Sequence, residues 1–232
     1  MKTRTYIIAA NSNRYESIVE QLNEVCNYSK FIFINNNEQL NFPYIESINP
    51  KQIFFPHWSY KIPKELYEKF ECIIFHMTDL PFGRGGSPLQ NLISRGIYET
   101  KISALRCVED FDAGPIYLKR PLSLYGNAEE IYLRASKVIA EMIKIIIGND
   151  LIPIEQIGEA TVFNRRKPDE SNVNHLQSLE KVFDYIRMLD AEGYPAAFLE
   201  TETLTLEFSR AALKKDHIIA DVKIMLKKDE TS

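Results

Sequence analysis

The stretch FHMTDLPFGRGGSPLQN, residues 75–91, decides how the chain is read, because an apolar run ends in it and gives way to a loop rich in Gly and Pro. Residues 72–75 are typical of a short buried strand, so His76 is the first polar side chain at its carboxyl end. In open α/β sheets, ligands bind outside the carboxyl ends of the strands. The loop glycines allow backbone to approach a ligand closely. The sequence therefore predicts an imidazole at a sheet edge beneath a Gly-rich loop.

Apolar runs alternate with segments of helical periodicity in the N-terminal part of the chain. Their spacing predicts strands at residues 6–10, 31–34, 53–55, 72–75, 101–107 and 116–118. It predicts helices at 14–25, 63–70 and 89–95, and a long helix from a cap at Asn127 to residue 147. Residues 35–37 are predicted to form a turn, and the polar stretch 38–50 carries no assignment. Strands that alternate with helices favour an α/β fold in which helices cover both faces of a sheet.

The composition changes after residues 148–150, which end the long helix. A second helix is predicted from a cap at Asn174 to residue 191. Residues 196–208 and 217–226 alternate apolar and polar side chains, which is typical of β hairpins. We therefore expect two domains, a larger one at residues 1–151 and a small α+β unit at residues 152–232.

Composition and charge narrow the class of protein. The 232 residues are enough for one sizeable core and a smaller unit, and 45% of them are hydrophobic. The net charge is −4 and basic residues are not clustered, which argues against a nucleic-acid partner, because phosphates are bound by clustered Lys and Arg. The three cysteines are scattered and are expected to be reduced. No stretch is long enough to span a membrane, so we expect a cytoplasmic protein without a membrane partner.

Two segments resemble a known family. Residues 76–88, HMTDLPFGRGGSP, are similar to the HPSLLPKYRGAAP loop of enzymes that use N10-formyltetrahydrofolate as formyl donor. Residues 109–115, EDFDAGP, are similar to that family's DEGLDTGP segment, which carries its catalytic aspartate. Two segments in the family's order are more specific than either one alone. The resemblance implies a formyltransferase-type Rossmann-like sheet and an N-formyltransferase activity that needs no metal.

The resemblance also implies roles for individual residues. His76 would be the general base and Asp112 its electrostatic partner, because histidine in general exchanges a proton near neutral pH. The family has an asparagine two positions before the histidine, as a donor to the oxyanion, and this chain has Ile74 there. We predict that His57 replaces this donor. The alternatives are Thr78 and the amide groups of the Gly-rich loop.

The folate is expected to bind largely through main-chain groups, at positions implied by the resemblance. Trp58 is expected to pack on the donor or on a nucleotide base, because its ring offers a flat apolar surface. Arg84 is expected to hold a phosphate or to stabilise its own loop. The residues expected at the folate are Tyr60, Ile62, Leu80, Val108, Glu109 and Asp110.

The acceptor is predicted from two C-terminal segments, FNRRKPDES at 163–171 and IRMLDAEGYPAAF at 186–198. They resemble the extension of the branch that formylates nucleotide-linked amino sugars. The loop without the asparagine resembles the N-formyltransferases of pseudaminic acid biosynthesis, which implies UDP-4-amino-4,6-dideoxy-2-acetamido-L-altrose as acceptor. Its diphosphate would meet charge-assisted donors. The residues expected at the acceptor are Trp58, Thr78, Arg84, Arg165, Arg166 and Tyr194.

Other interpretations stay open at this point. If Ile74 marks an inactive site, the chain is a non-catalytic folate or sugar-nucleotide binding protein. With water in place of the amine, the chain hydrolyses the formyl donor. Another amine, such as a dTDP-linked amino sugar or Met-tRNA, is a third possibility. The hairpins of the C-terminal unit are compatible with a homodimer.

Overall fold

The structure, a computed structural model, describes residues 3–149 and 151–227. The expectations for residues 1–2, for Asp150 at the end of the long helix and for residues 228–232 lie outside the described residues. The chain divides into two compact units that interleave along the sequence. The first comprises the described residues of Met1–Gly85, Thr100–Leu122 and Leu133–Val162, and the second those of Gly86–Glu99, Ser123–Tyr132 and Phe163–Ser232. The expected division at residue 151 stays a prediction.

A six-stranded sheet carries the first unit, and the fold is the predicted α/β class. Its strands are β1 (Arg4–Ala10), β2 (Ser29–Ile34), β3 (Gln52–His57), β4 (Glu71–His76), β6 (Glu99–Arg106) and β7 (Ile116–Ser123). They lie in the order β2-β1-β3-β4-β6-β7. The four strands β2, β1, β3 and β4 are parallel, whereas β6 is antiparallel to β4 and places Ser103 opposite His76. All six predicted strands are confirmed, with somewhat different ends.

The central strands are buried on both faces. Side chains of a strand point to opposite faces in alternation, yet four consecutive residues of β1, from Ile7 to Ala10, are fully buried. Strands of parallel sheets that are covered on both sides read as continuous apolar runs. This explains why these strands stand out in the sequence as short apolar blocks.

Helices follow the strands of the first unit. They are α1 (Glu16–Val25), α2 (Phe42–Ile48), α3 (Lys64–Lys69) and α5 (Ala128–Gly148), which belongs to this unit from Leu133 onward. The predicted cap of α5 is confirmed, because the Asn127 side chain accepts from the Glu130 amide at 2.9 Å and the Glu130 carboxylate accepts from the Asn127 amide at 2.9 Å. Helix α2 lies in the stretch without an assignment. Its signals were Asn41, which caps it, and Pro43 in its first turn.

The second unit contains α4 (Pro88–Ser94), α6 (Leu179–Arg187) and an antiparallel sheet. The sheet has the order β11-β10-β9 and consists of β9 (Ala197–Glu200), β10 (Leu204–Leu213) and β11 (Ile218–Leu226). The predicted cap at Asn174 is wrong, because Ser178 caps α6 by accepting from the Lys181 amide at 3.3 Å. The preceding residues are held extended, since the Val173 amide donates to the Phe198 carbonyl at 2.8 Å. Two short strands, β5 (Arg84–Gly85) and β8 (Val162–Phe163), and three 3-10 helices complete the described elements. The 3-10 helices are Asn13–Tyr15, Asn37–Gln39 and Pro168–Ser171.

Candidate active site

The two residues expected to act together lie side by side in the first unit. His76 ends β4, and Asp112 lies in the loop between β6 and β7. The Nδ1 atom of His76 is 3.5 Å from Oδ2 of Asp112, and the side chains are 7% and 13% exposed. An electrostatic interaction that is largely shielded from water is stronger than one on the surface. The geometry therefore supports a cooperating pair, and the roles of its members stay predictions.

The Gly-rich loop folds over the imidazole. The Nε2 atom of His76 is 2.7 Å from the Gly83 carbonyl oxygen, and the Thr78 hydroxyl donates to the same oxygen at 3.3 Å. A carbonyl only accepts, so Nε2 carries the hydrogen of this contact. The Gly83 amide in turn donates to the Thr161 hydroxyl at 2.8 Å. The loop thus closes on the nitrogen of His76 that points away from Asp112.

Asp112 is fixed by backbone conformation and by hydrogen bonds. Its φ is +52°, in the left-handed region that a non-glycine residue enters at a cost. Its Oδ2 accepts from the Gly85 amide at 2.9 Å, and its carbonyl accepts from the Gln156 side-chain amide at 2.7 Å. These two hydrogen bonds restrict the Asp112 carboxylate to one orientation. The same oxygen that faces His76 is therefore held by the Gly-rich loop.

Gln156 connects the two loops of the site, and the sequence analysis did not identify it. Its side-chain amide also donates to the Gly114 carbonyl at 2.9 Å. Its Oε1 accepts from Nε and Nη2 of Arg84 at 3.1 and 2.8 Å. The expectation that Arg84 stabilises its own loop fits this contact. A single glutamine in an irregular segment carries no motif, so no sequence signal pointed to it.

His57 lies at the end of β3, the strand next to β4 in the sheet. Burial, with a smaller contribution from the charge of Arg14, lowers the pKa of His57 to about 4. Its ring stacks on Tyr15 with centroids 6.2 Å apart. The imidazole is therefore neutral at physiological pH and still has one N–H to donate. A neutral donor suits the role predicted for it, which remains a prediction.

The other substitutes for the missing asparagine are already engaged. Ile74 is an apolar residue paired with Phe55 of β3 and Leu105 of β6, so nothing at this position donates from its side chain. The Thr78 hydroxyl and the amides of Gly83 and Gly85 make the hydrogen bonds given above. A donor that is already satisfied within the protein must break that bond to reach an oxyanion. The donor that replaces the asparagine therefore stays a prediction, for His57 as for the alternatives.

The segments expected at the folate meet in one core cluster. Ile62 and Cys107, which directly precedes Val108, both belong to it, and Trp58 packs against it. The Nε1 atom of Trp58 is buried and has no hydrogen-bond partner among the described residues. A buried N–H without a partner is costly, which fits a ligand acceptor at this point. Tyr60 is 55% exposed and meets Trp58 edge to face, with centroids 5.7 Å apart.

The remaining residues expected at the folate differ in their exposure. Leu80 is buried, and its amide donates to the Ser103 hydroxyl at 3.4 Å. Val108 is half-buried, whereas Glu109 and Asp110 are exposed in the loop before Asp112. The part of these residues in folate binding stays a prediction.

Three residues expected at the acceptor belong to the second unit. Arg165 is exposed, and its backbone approaches Gly86 so closely that a Cβ on Gly86 would lie 2.6 Å from the Arg165 Cα. Arg166 donates from Nη2 to the Glu170 carbonyl at 2.6 Å and lies over the Tyr185 ring. Tyr194 stacks on Tyr132, with the two hydroxyl oxygens 2.6 Å apart. Arg166 and Tyr194 thus make contacts within their own unit.

Neither metal ligation nor a membrane-spanning helix is found in the part of the chain that the structure describes. No group of three or more His, Cys, Asp or Glu side chains is arranged to hold a metal ion among these residues. None of the described helices is long and apolar enough to cross a membrane.

Comparison with known proteins supplies the class. The family model for the methionyl-tRNA formyltransferase C-terminal domain matches residues 168–225. The methionyl-tRNA formyltransferase of Thermodesulfovibrio yellowstonii is 31% identical over 151 residues, 62% of this chain and 49% of that protein. That of Rickettsia felis is 26% identical over 172 residues, 71% of this chain and 55% of that protein. The chain therefore spans about half the length of the curated relatives it matches.

Solved structures agree with the fold and extend the likeness. HypX from Aquifex aeolicus in complex with tetrahydrofolic acid has a TM-score of 0.75 and 17% identity, over 90% of this chain and 38% of that chain, which shows a shared fold. The structure named methionyl-tRNA formyltransferase from Clostridium thermocellum has a TM-score of 0.94 and 50% identity, over 97% of this chain and 100% of that chain. Fold and site thus define a protein of the formyltransferase class. Within that class, the chain belongs to the methionyl-tRNA formyltransferase family.

These findings correct the predicted acceptor. The assignment to the pseudaminic acid branch was wrong. The prediction of a nucleotide-linked amino sugar such as UDP-4-amino-4,6-dideoxy-2-acetamido-L-altrose as acceptor was also wrong. The family model, the curated relatives and the solved structure at 50% identity are all named for methionyl-tRNA formyltransferase. The exclusion of a nucleic-acid partner was wrong for the same reason. Net charge is a sum over the whole chain and does not describe a local face. The C-terminal unit is short, yet its residues 168–225 match the C-terminal domain model.

Proposed function

We propose that the chain transfers a formyl group from N10-formyltetrahydrofolate to the amino group of Met-tRNA. The observation that carries this proposal is the shielded pair of His76 and Asp112 at the carboxyl end of β4, 3.5 Å apart. It occurs in a chain that is 50% identical to a protein named for this substrate. A cytoplasmic location belongs to the same proposal.

The reaction follows from the chemistry of the two groups. The unprotonated amine nitrogen attacks the formyl carbon, so a C–N bond forms and the carbonyl electron pair moves to oxygen. His76 takes the proton that the nitrogen loses, and the carboxylate of Asp112 stabilises the imidazolium. When the carbonyl reforms, the bond from the formyl carbon to N10 breaks, and N10 receives the proton from His76. The products are N-formylated Met-tRNA and tetrahydrofolate.

The position of His76 determines which nitrogen acts as the base. Its Nδ1 faces Asp112, and its Nε2 faces the Gly83 carbonyl at 2.7 Å. Proton transfer requires a heavy-atom distance of about 2.6–3.2 Å, which Nε2 reaches only if the Gly83 carbonyl gives up its place to the amine. The ring hydrogen must then lie on Nδ1, where the Asp112 carboxylate accepts it, so that Nε2 is free to take the proton. Gly83, with a φ of +76°, gives the loop the conformational freedom for this exchange. Binding of the acceptor and opening of the Gly-rich loop are therefore one event.

The folate-binding segments support the proposed donor. The buried N–H of Trp58 needs an acceptor, and a pterin or its linked amide supplies one. Exposed Tyr60 offers a ring on which a flat heterocycle packs. Glu109 and Asp110 are exposed, and we expect main-chain groups of their loop to bind the polar edge of a pterin.

The experiment measures formylation of Met-tRNA by the protein and by Asp112→Asn and His76→Gln variants. Asn keeps an oxygen for the Gly85 amide but removes the charge, so turnover should fall about a hundredfold or more while the far-UV spectrum and melting temperature stay close to wild type. Met-tRNA that stays unformylated with the wild-type protein, or full turnover in either variant, would contradict the proposal.

A further inference from the structure

One face of the C-terminal antiparallel sheet is apolar across β10 and β11. The register places apolar residues directly opposite each other at alternate positions, so their side chains share one face. Helix α6 packs against β10, and β11 lies at the edge of the sheet. The pairs are Leu204 with Leu226, Leu206 with Ile224, and Phe208 with Val222.

The β11 side of this face is open to solvent in the part of the chain that the structure describes. Val222, Ile224 and Leu226 are 46%, 62% and 78% exposed. A monomeric protein rarely leaves an apolar edge strand exposed, because such an edge pairs with other chains.

The free hydrogen-bonding groups of β11 belong to its even-numbered residues. The Lys227 amide donates to the Thr203 carbonyl at 2.9 Å, and the His217 carbonyl accepts from the Lys214 amide at 2.8 Å. In an antiparallel strand, the N–H and C=O of one residue point the same way and those of the next residue point the other way. Odd-numbered residues therefore face β10, and Val222, with its even-numbered neighbours, faces outward.

We propose that two copies of this chain associate through β11, antiparallel and centred on Val222. This register pairs all nine residues of β11 (Ile218–Leu226), with Val222 opposite Val222 of the second copy. All outward groups then bond in pairs, and two three-stranded sheets become one six-stranded sheet. The exposed apolar side chains of β11 become neighbours at its centre. Such an interface is isologous, because each residue pair occurs twice about the twofold axis.

Charge selects this register over its neighbours. With Val222 at the centre, Lys223 lies opposite Asp221 of the second copy, and Asp221 lies opposite Lys223. A centre at residue 221 would place two aspartates opposite each other, and a centre at residue 223 would place two lysines there. Like charges directly opposite each other destabilise a sheet. Of these three registers, only the one centred on Val222 joins opposite charges.

The ion pairs within each copy continue this pattern across the sheet. Lys223 is 3.3 Å from the Glu207 carboxylate, and Arg210 forms an ion pair with Asp221. In the dimer, a row of alternating charge runs from Glu207 and Lys223 of one copy to Asp221 and Arg210 of the other. The row occurs twice, once on each side of the twofold axis.

Charge-reversal variants test the register, independently of the proposed catalytic function. In a Lys223→Glu homodimer, a carboxylate at position 223 faces the Asp221 carboxylate of the other copy. In an Asp221→Lys homodimer, an ammonium group at position 221 faces the Lys223 ammonium group of the other copy. Each variant alone should dimerise roughly tenfold more weakly than wild type in analytical ultracentrifugation. Mixed in equal amounts, the two variants should form a heterodimer with near wild-type affinity, because every facing pair is again opposite in charge. Native mass spectrometry distinguishes the heterodimer from both homodimers.

Glu207→Gln is the matched control. It removes the ion pair of Lys223 within one copy without placing like charges across the interface, so dimerisation should weaken less than twofold. A wild-type chain that stays monomeric at about 100 μM would overturn the proposal. So would a dimer that both charge reversals leave unchanged, or a mixture of the variants that fails to recover affinity, since the chains would then meet elsewhere or in another register.

Discussion

At the scale of single residues, Gln156 positions the site without belonging to a motif. One amide side chain satisfies the Arg84 guanidinium, the Asp112 carbonyl and the Gly114 carbonyl together. A carboxylate at the same place would keep the acceptor for Arg84 and lose both donors. An apolar side chain would lose all of these bonds. Comparing Gln, a carboxylate and an apolar side chain at position 156 therefore distinguishes the contact with Arg84 from the contact with Asp112.

We predict that Gln156→Glu and Gln156→Met both lower kcat for formyl transfer by about tenfold or more, because the Asp112 carbonyl loses its donor and the carboxylate turns away from His76. The melting temperature should fall only modestly, since a net hydrogen bond contributes about 1 kcal/mol. Steady-state kinetics as a function of pH is the measurement, because a merely structural role would leave the pH profile unchanged. Glu155→Gln, in the exposed neighbour, should behave as wild type.

Burial of His57 should make the folded chain less stable in acid. Its pKa is lowered to about 4 in the folded chain, so between about pH 6.5 and 4 the unfolded state binds a proton that the folded state does not. The free energy of unfolding should therefore decrease as the pH is lowered through this window, by up to about 3 kcal/mol at pH 4. Urea unfolding of His57→Gln should show a flatter pH dependence than wild type. His217→Gln is the control, because His217 is exposed. If it flattens the pH dependence as much as His57→Gln does, this account is contradicted.

At the scale of elements, the turn between β6 and β7 tolerates no side chain at Gly114. A Cβ there would lie 1.9 Å from the Arg106 carbonyl oxygen and 3.3 Å from Cγ1 of Val108. Gly114→Ala should therefore destabilise the chain by more than about 2 kcal/mol and displace Asp112. Gly148→Ala, where a Cβ meets nothing within 4 Å, should be close to neutral. Thermal unfolding of the two variants checks this, and equal melting temperatures would show that the turn adapts.

How much the sequence could predict differs between elements. Buried strands such as β1 and β4 were predicted because parallel strands covered on both faces read as apolar runs. The pairing of His76 with Asp112 followed from two motifs, although they are far apart along the chain. Helix α2 was missed because its short apolar pattern is masked by polar neighbours. The start of α6 was misplaced because a tertiary bridge between residues 172 and 198 holds the chain extended there.

The rest of the site depends on contacts that only the fold creates. Gln156 and Thr161 come from an irregular segment whose residues have no periodicity. Their partners, Arg84 and Gly83, lie far away in sequence. The low pKa of His57 follows from burial, which one residue of sequence does not reveal. The acceptor was mispredicted because the net charge of the whole chain does not describe a local face, and because the two C-terminal segments and the missing asparagine do not specify the acceptor.

At the scale of the whole molecule, the cysteines report on which parts are sealed from solvent. Burial raises the pKa of Cys72 well above its usual value, and burial together with the Asp112 carboxylate raises that of Cys107 to about 12. Both thiols are buried, whereas Cys26 is partly exposed. A thiol reagent at pH 8 should therefore modify Cys26 alone in the native chain and all three cysteines in urea. Cys26→Ser should abolish the native reaction, and fast labelling of Cys72 or Cys107 would show that the sheet opens.

The central claim joins the site to its acceptor, and one measurement tests it most directly. The purified chain is incubated with N10-formyltetrahydrofolate, with and without Met-tRNA, while tetrahydrofolate release and formylation of the methionyl group are followed together. We expect release only when Met-tRNA is present, with one formyl group on the amine for each tetrahydrofolate formed. Release that proceeds equally without Met-tRNA, or Met-tRNA that stays unformylated, would contradict the account.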